Sequence, residues 1–405
     1  MKPRSLLVAL AVLLAAGVIA AIVLIPNFTL TPAASFGPPV RAGNRIYLLT
    51  GQWKSRWFSS GRSARSSDRS TDLLVDLWAF DATTLQPIFR RRLQTVPDGA
   101  MYGRAILGVQ NQTVWLLLPG GLHAASAQDG RLVATPETIE EKNPNLRGLL
   151  STESRFYRFT AQQGLIIIAA DAATWYLHPD HWQAAKQPFA LGAGGHSYAP
   201  AYFTPNSTLS FKGRGYPLGA KWLGVLTEAE SKVFNREYGI PGLDDFTPRA
   251  VYAGDISQEK TFFGDQARYG NFKQLTQLFL AAGVLVLPQP SGPGALVYRQ
   301  GPDSIFVLHK SRIDEEAVLQ LARVTGPEGK LLWNIALPLS VLQSVLPGEE
   351  SLVLYGRLFT KADPTNPGPR DPFHTAREML VAVDWKSGAI REHDQSNIKS
   401  HPDAR

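Results

Sequence analysis

Val381-Ala382-Val383-Asp384-Trp385-Lys386-Ser387-Gly388-Ala389-Ile390 carries an apolar run into a polar turn and out again into a second run. An apolar segment that ends in Asp, Ser and Gly marks a strand closed by a tight turn, with Gly388 where the backbone needs a positive φ. The pattern recurs at Leu77-Trp78-Ala79-Phe80-Asp81-Ala82-Thr83-Thr84 before Ile88-Phe89, and at Ala124-Ala125-Ser126-Ala127-Gln128-Asp129-Gly130 before Leu132-Val133. It returns at Leu321-Ala322-Arg323-Val324-Thr325-Gly326-Pro327-Glu328-Gly329 before Leu331-Leu332-Trp333. Each stretch reads as two antiparallel strands and their connection.

Outward from these turns, short apolar runs bounded by Gly, Pro, Asp or Asn fill the chain beyond residue 43, which is the pattern of strands and not of helices. They include Arg45–Leu49, Leu73–Phe80, Val114–Leu118, Leu165–Ala170, Val284–Leu287, Ser304–His309, Leu331–Leu337, Ser351–Phe359 and Glu378–Trp385. In Leu331–Leu337 the residues Leu331, Trp333, Ile335 and Leu337 share one face, so that strand is expected to be half buried. Leu165-Ile166-Ile167-Ile168 has no polar alternate and fits a strand covered on both sides.

The four turn stretches resemble the Ala-x-Asp-x-x-Thr-Gly-x-x-x-Trp repeat of the quinoprotein-like (PQQ-repeat type) β-propeller family. Asp81 and Asp384 stand at its acidic position, Gly130, Gly329 and Gly388 at its glycine, and Trp333 at its tryptophan; the first repeat, with Leu85-Gln86-Pro87, lacks the glycine. Asp81 and Asp129 are 48 residues apart, the turn near Pro179 follows after 50, and Gly329 after 150 more, three such steps. Steps of about 40–50 residues are the propeller period. The expected fold is therefore an all-β propeller of seven blades, with six to eight allowed, over 43–392. Between 192 and 283 the repeat cannot be read, and either an insertion or an eroded blade fits. Thr227-Glu228-Ala229-Glu230 there forms a capping box for a short helix. Asp363–Pro372, with four prolines, reads as an exposed loop, and 393–405 as a disordered tail.

Ser5–Ile25 contains neither charge nor proline, and as a helix would span about 31 Å, the hydrocarbon thickness of a bilayer. Its Leu, Ile and Val residues favour insertion by about 5 kcal/mol. Lys2 and Arg4 precede it and no charge follows until Arg41, which places the N-terminus inside. Residues 1–25 are thus expected to be a retained anchor, with a signal peptide cleaved near Ala33 and Ala34 as the alternative, and 26–42 a Pro- and Thr-containing linker. The layout resembles proteobacterial proteins held in the inner membrane by a single pass, with the body in the periplasm.

The 405 residues, 44% hydrophobic and 19% charged with nine Trp, can bury a substantial core. The absence of cysteine excludes thiolate catalysis, disulfides and Cys-ligated metals. Net charge +7 favours anionic partners, and Lys54, Arg56, Arg62, Arg65 and Arg69 concentrate part of it among serines. This run reads as a solvated loop close to acidic headgroups; without a zinc finger, helix-turn-helix or RNA module, nucleic acid is not an expected partner.

The family resemblance implies, in its dehydrogenase members, a quinone held over calcium against a vicinal Cys–Cys disulfide. This chain has no cysteine, no matching residues carry over, and no cofactor is expected. His178-Pro179-Asp180-His181 offers two imidazoles and a carboxylate, too few for a defined zinc site, and reads as a polar turn. Gly195-His196-Ser197-Tyr198-Ala199 has the outline of a nucleophile elbow, but Pro200 and its turn formers do not allow the strand-to-helix context. Glu140-Glu141, Asp244-Asp245, Glu315-Glu316 and Glu349-Glu350 are adjacent pairs that do not face each other. No catalytic, cofactor or metal residue is assigned. The reading is an interaction scaffold for another protein or an envelope component, a role that the resemblance also implies; a hydrolase or lyase acting on envelope material in the propeller funnel is the alternative.

Overall fold

The computed structural model describes residues 28–30, 33–57, 69–97, 103–160, 164–187, 215–218, 221–226, 250–258, 270–280, 284–285, 297–300, 304–310, 318–325, 330–359 and 376–395. The chain is all-β: among these residues six antiparallel sheets follow one another in sequence. Sheet I joins β1 (Phe28–Leu30), β2 (Ala34–Ser35) and β3 (Val40–Ala42), all paired with β4 (Arg45–Trp57), to β5 (Arg69–Asp81) and β6 (Pro87–Pro97). Sheet II is β7 (Ala105–Gln110), β8 (Thr113–Leu118), β9 (Gly121–Ser126) and β10 (Leu132–Ala134). Sheet III is β11 (Tyr157–Thr160), β12 (Gly164–Ile168), β13 (Thr174–Leu177) and β14 (Ala184–Gln187), and sheet IV is β15 (Gly215–Leu218), β16 (Lys221–Leu226), β17 (Ala250–Gln258) and β18 (Gly270–Leu280). In sheet V, β19 (Val284–Leu285) and β20 (Val297–Gln300) both pair with β21 (Ser304–Lys310), followed by β22 (Leu319–Thr325) and β23 (Lys330–Ala336). Sheet VI is β24 (Val341–Pro347), β25 (Ser351–Phe359), β26 (Ala376–Asp384) and β27 (Ile390–Asp394).

Successive side chains of a strand point to opposite faces, and here both faces are covered. On β4, Tyr47 and Leu49 pack with Leu73, Val75 and Leu77 against Val114 and Leu116 of sheet II. Ile46 and Leu48, on the other face, pack with Trp78 and Phe80 against Val353, Tyr355 and Leu380 of sheet VI. Trp115 and Leu117 of sheet II meet Leu165, Ile167 and Trp175 of sheet III, while Phe306 and Leu321 of sheet V meet Leu354 and Val381 of sheet VI. Burial on two sides explains why Val114–Leu118 has no polar alternate; each such side chain contributes about 1.5–3 kcal/mol. The last sheet in sequence thus packs on the first. The first strands lie side by side in the order β24, β3, β7, β11, and β18 borders β23. Four-stranded meanders stacked in this way, inner strands together, pack as propeller blades do.

The repeated turns join the third and fourth strands, and four of them share one geometry. The backbone N–H at Leu85, Gly130, Trp182 and Gly388 donates to the carbonyl four residues earlier, at Asp81, Ser126, His178 and Asp384. In each turn the side chain of that earlier residue also accepts from a backbone N–H two residues on, at Thr83, Gln128, Asp180 and Lys386. The acidic position of the second repeat is therefore held by Ser126, not Asp129, and that of the third by His178. At the glycine position φ is +74 at Gly130 and +73 at Gly388. Leu85 and Trp182 adopt φ +57 and +55 there, and Leu85 is buried, which places packing against backbone strain in the repeats without glycine.

A Cβ at Gly388 would lie 2.9 Å from Cδ2 of Trp333 on the outer strand of the preceding sheet. Gly388→Val is expected to cost about 2–4 kcal/mol, from left-handed strain and overpacking together. Gly43→Ala, with φ +57 and nothing within 4 Å, isolates the backbone part and should cost about 1 kcal/mol. Chemical unfolding of both variants measures the difference.

Several expectations change. The 150 residues between Pro179 and Gly329 hold one further sheet among the described residues instead of two, because sheet IV spreads its strands widely. That sheet occupies part of 192–283, the region in which the repeat could not be read. Within 26–42, expected to be a linker, β1, β2 and β3 supply the inner edge of sheet I. At the other end β27 continues to Asp394, two residues into the expected tail. Ser5–Ile25, Thr227–Glu230 and Asp363–Pro372 lie outside the described residues; among the described residues no helix is long and apolar enough to cross a membrane.

Strand direction gives the molecule two unlike faces. On one, the first strand turns into the second and the third into the fourth, mostly through short connections such as 43–44, 82–86, 111–112, 127–131, 348–350 and 385–389, with the longer 259–269 in sheet IV. On the other emerge 58–68, 98–104, 135–156, 188–214, 227–249 and 360–375, together with the start of β1 and the end of β27. The turn face is tied from sheet to sheet: Tyr47 Oη donates to Ala127 O at 3.0 Å, Thr113 Oγ1 to Pro179 O at 3.3 Å, and Arg391 to Thr83 O at 2.6 Å. Arg323 reaches Trp385 O, and Arg41 donates to Leu346 O and Ser351 O.

Candidate functional site

Among the described residues, polar groups of two sheets converge in the seam between sheets VI and I, toward the loop face. The register of β2 on β4 sets Ser35 opposite Thr50, and Thr50 is opposite Asp76 on β5. From sheet VI, Glu378 and Tyr355 reach the same seam. The Glu378 carboxylate accepts from Ser35 N at 3.0 Å, from Ser35 Oγ at 3.3 Å and from Tyr355 Oη at 2.8 Å, and Arg357 lies 3.9 Å away. Ser35 Oγ and Tyr355 Oη are also hydrogen-bonded to each other. Burial, and next the charge of Glu378, push the Tyr355 phenol well above its ordinary value, so it remains a donor throughout the physiological range.

On the sheet I side Asp76 is 1% exposed and is held by two arginines of β6. Arg90 donates through Nε at 2.9 Å and NH2 at 2.6 Å; Arg92 donates through Nε and, at 3.2 Å, through NH2. The Arg90 guanidinium lies 4.9 Å from the Trp78 ring, whose Nε1 donates to Thr50 Oγ1 at 3.1 Å.

A serine, a phenol and a carboxylate in one connected set are parts that nucleophilic sites use. Here the carboxylate is occupied by three donors and the serine is tied to the same residues. The arrangement joins the two ends of the chain; it does not aim a free base at a substrate. Sequence reasoning assigned none of these residues. The available signal was a carboxylate within apolar runs: Asp76 inside Leu73–Phe80, and Glu378 opening Glu378–Trp385.

The sequence candidates fall elsewhere. His178 and His181 stack with ring centroids 4.0 Å apart on the turn face, and each Nδ1 accepts a backbone N–H, from Asp180 and Gln183. Asp180 takes Asn111 Nδ2 at 3.2 Å. The cluster therefore serves as the third repeat's turn, and among the described residues no group of three His, Cys, Asp or Glu could hold a metal ion. Glu140 accepts from Gly148 N, and the Glu350 carbonyl accepts from Trp385 N, so these pairs shape turns. Ser197, Asp244-Asp245, Glu315-Glu316 and residues 58–68 of the basic run lie outside the described residues.

Three further histidines lie on three different sheets, His123 and His309 buried and His393 half-buried. His123 hydrogen-bonds to Gly121 O, His309 to Asn334 Oδ1, and His393 packs 4.9 Å from the Phe80 ring. Burial lowers the pKa of all three. The unfolded chain therefore takes up protons first as pH falls below the ordinary imidazole value of about 6.5. Their contribution to stability is complete above that value and declines as pH drops toward the folded pKa values. Thermal unfolding should show a falling midpoint from pH 7 to pH 5, with a shallower fall in His309→Gln.

No family model matches the chain, and no curated protein matches it. Solved structures offer low-scoring likenesses. One is BamB from Moraxella catarrhalis, 12% identical over 81% of this chain and 97% of that one, with a TM-score of 0.22. Another is the β-propeller domain of the Trilobed protease from Pyrococcus furiosus, 9% identical over 93% and 99%, also at 0.22. PorZ of the Porphyromonas gingivalis type-IX secretion system is 10% identical over 90% of this chain and 46% of that one, at 0.21. Scores of this size carry no argument about what this chain does.

Proposed function

We propose that the chain is a six-bladed β-propeller, anchored in a bacterial inner membrane by Ser5–Ile25, that acts in the periplasm as an interaction scaffold for a protein or an envelope component. The observation that carries this reading is the asymmetry of the two faces. On the turn face the connections are mostly short and several are bonded to the next sheet, with 259–269 of sheet IV the long one, whereas 135–156, 188–214, 227–249 and 360–375 join strands at the opposite face. Long connections on a rigid frame are where recognition resides. Among the described residues the buried carboxylates and imidazoles Asp76, His123, His309 and Glu378, with the half-buried His393, lie on second, third or fourth strands and not on the inner ones. Each also has a partner or packed ring close by, which favours a scaffold over funnel chemistry.

Photo-crosslinkers placed in 360–375 and, as a control, at Lys386 on the turn face test this in living cells. The scaffold reading expects one reproducible adduct from the loop face and none from Lys386. Adducts from neither position, or equal adducts from both, would remove it.

A further inference from the structure

We infer that the seam between sheets VI and I is an acid-sensitive latch: protonation of His393 parts the last sheet from the first and shifts the connections that the two carry on the loop face, 360–375 among them. Such a latch needs neither the anchor nor a partner. As first and last in sequence, sheets I and VI meet with no connection between them, so they can separate without stretching the chain. Hydrogen bonds tie the seam at three places. Ser35 of β2 holds Glu378 and Tyr355, Arg41 of β3 holds Leu346 O and Ser351 O, and Arg391 of β27 holds Thr83 O. Farther along β27 the contact is the His393 ring on Phe80, with centroids 4.9 Å apart. His393 Nε2 and, two residues on, Gln395 Nε2 are buried without a hydrogen-bond partner among the described residues.

The charges along the seam make a proton there unwelcome. His393 stands opposite Leu380 and Arg391 opposite Ala382, both in the core shared with sheet I. Phe80 stacks on Trp78, whose ring the Arg90 guanidinium approaches to 4.9 Å. Asp76, Arg90 and Arg92 line the seam from sheet I, and Arg357, Glu378 and Arg391 from sheet VI, four cations to two carboxylates. Asp81 caps its own turn, and Asp394, beside His393, is paired with Arg377 of β26. An imidazolium therefore adds positive charge where cations are in excess and water is scarce. Burial disfavours the charged ring, and the Asp394 carboxylate opposes this only in part. Once the sheets part, the ring reaches water and its ordinary value of about 6.5, so proton uptake below that value favours the open form.

Because the chain has no cysteine, spin labels can be placed in pairs without background. Gln86→Cys with Lys386→Cys spans the VI–I seam, and Gln86→Cys with Gln128→Cys spans I–II as a control; all three side chains are exposed. Distances are measured on the full chain by pulsed electron resonance at about pH 7.5 and about pH 5.5, on either side of the ordinary imidazole value. The first pair should gain a second, longer distance at the lower pH, its ratio to the short one rising by up to about tenfold, the ceiling for one imidazole. The control pair should not change. His393→Phe keeps a ring on Phe80 without the titrating nitrogen, and should leave the first pair as closed at the lower pH as at the higher. His393→Gln, neutral and without the ring, should give the same ratio at both. A pH response that survives both substitutions, a longer distance growing equally across I–II, or the absence of any second distance in the unsubstituted seam would overturn the latch.

Discussion

Asp76→Asn should lower the unfolding free energy by about 3–5 kcal/mol, read from urea or thermal unfolding, and is among the largest single-site effects expected. The substitution removes the charge that two guanidiniums share inside the seam and leaves them facing a neutral amide in a partly dry setting. The reverse experiment is asymmetric. Arg92 is 38% exposed, and its loss leaves Arg90 still bonded to the carboxylate, so Arg92→Met is expected to cost only about 1 kcal/mol. Equal costs for the two substitutions would show that Asp76 is not the centre of the fork.

The second large effect is expected at Trp78, which is 5% exposed, stacks on Phe80 with centroids 5.8 Å apart and supports Arg90 from below. Trp78→Ala removes apolar area from the VI–I seam, frees Thr50 Oγ1 and leaves Arg90 without its ring. Large-to-small changes of this kind cost about 3–5 kcal/mol. Trp78→Phe keeps most of the packing and loses the hydrogen bond, for which about 1–2 kcal/mol is expected. Because Trp78 and Asp76 share Arg90, the two losses should combine to less than their sum.

Where the sequence was informative, it was so for local reasons. Every apolar run read as a strand and placed among the described residues is one, since alternation and turn chemistry act over a few residues. Ser351–Phe359 matches β25 residue for residue. The turn glycines were legible because positive φ leaves a compositional trace. Leu85 and Trp182 left none, as their conformation is imposed by packing. The half-buried reading of Leu331–Leu337 held for Trp333 and Ile335 but not for Leu331, which is 40% exposed; a register shift between Arg323 and Val324 re-aims the start of β23. A constant spacing cannot see how far apart the strands of one sheet stand along the chain, as in sheet IV, where β16 ends at Leu226 and β17 begins at Ala250. The seam was invisible for a stronger reason: Ser35 and Glu378 are 343 residues apart, and nothing in a single sequence links two such positions.

That separation also supplies the most direct test of ring closure. In a double-mutant cycle, Ser35→Ala and Glu378→Ala should show a coupling of about 1 kcal/mol, since the first removes the hydroxyl that donates to the Glu378 carboxylate and the second removes the carboxylate that accepts it. Additivity to within about 0.3–0.5 kcal/mol would mean that the first and last sheets do not meet there, and the closed ring would have to be abandoned.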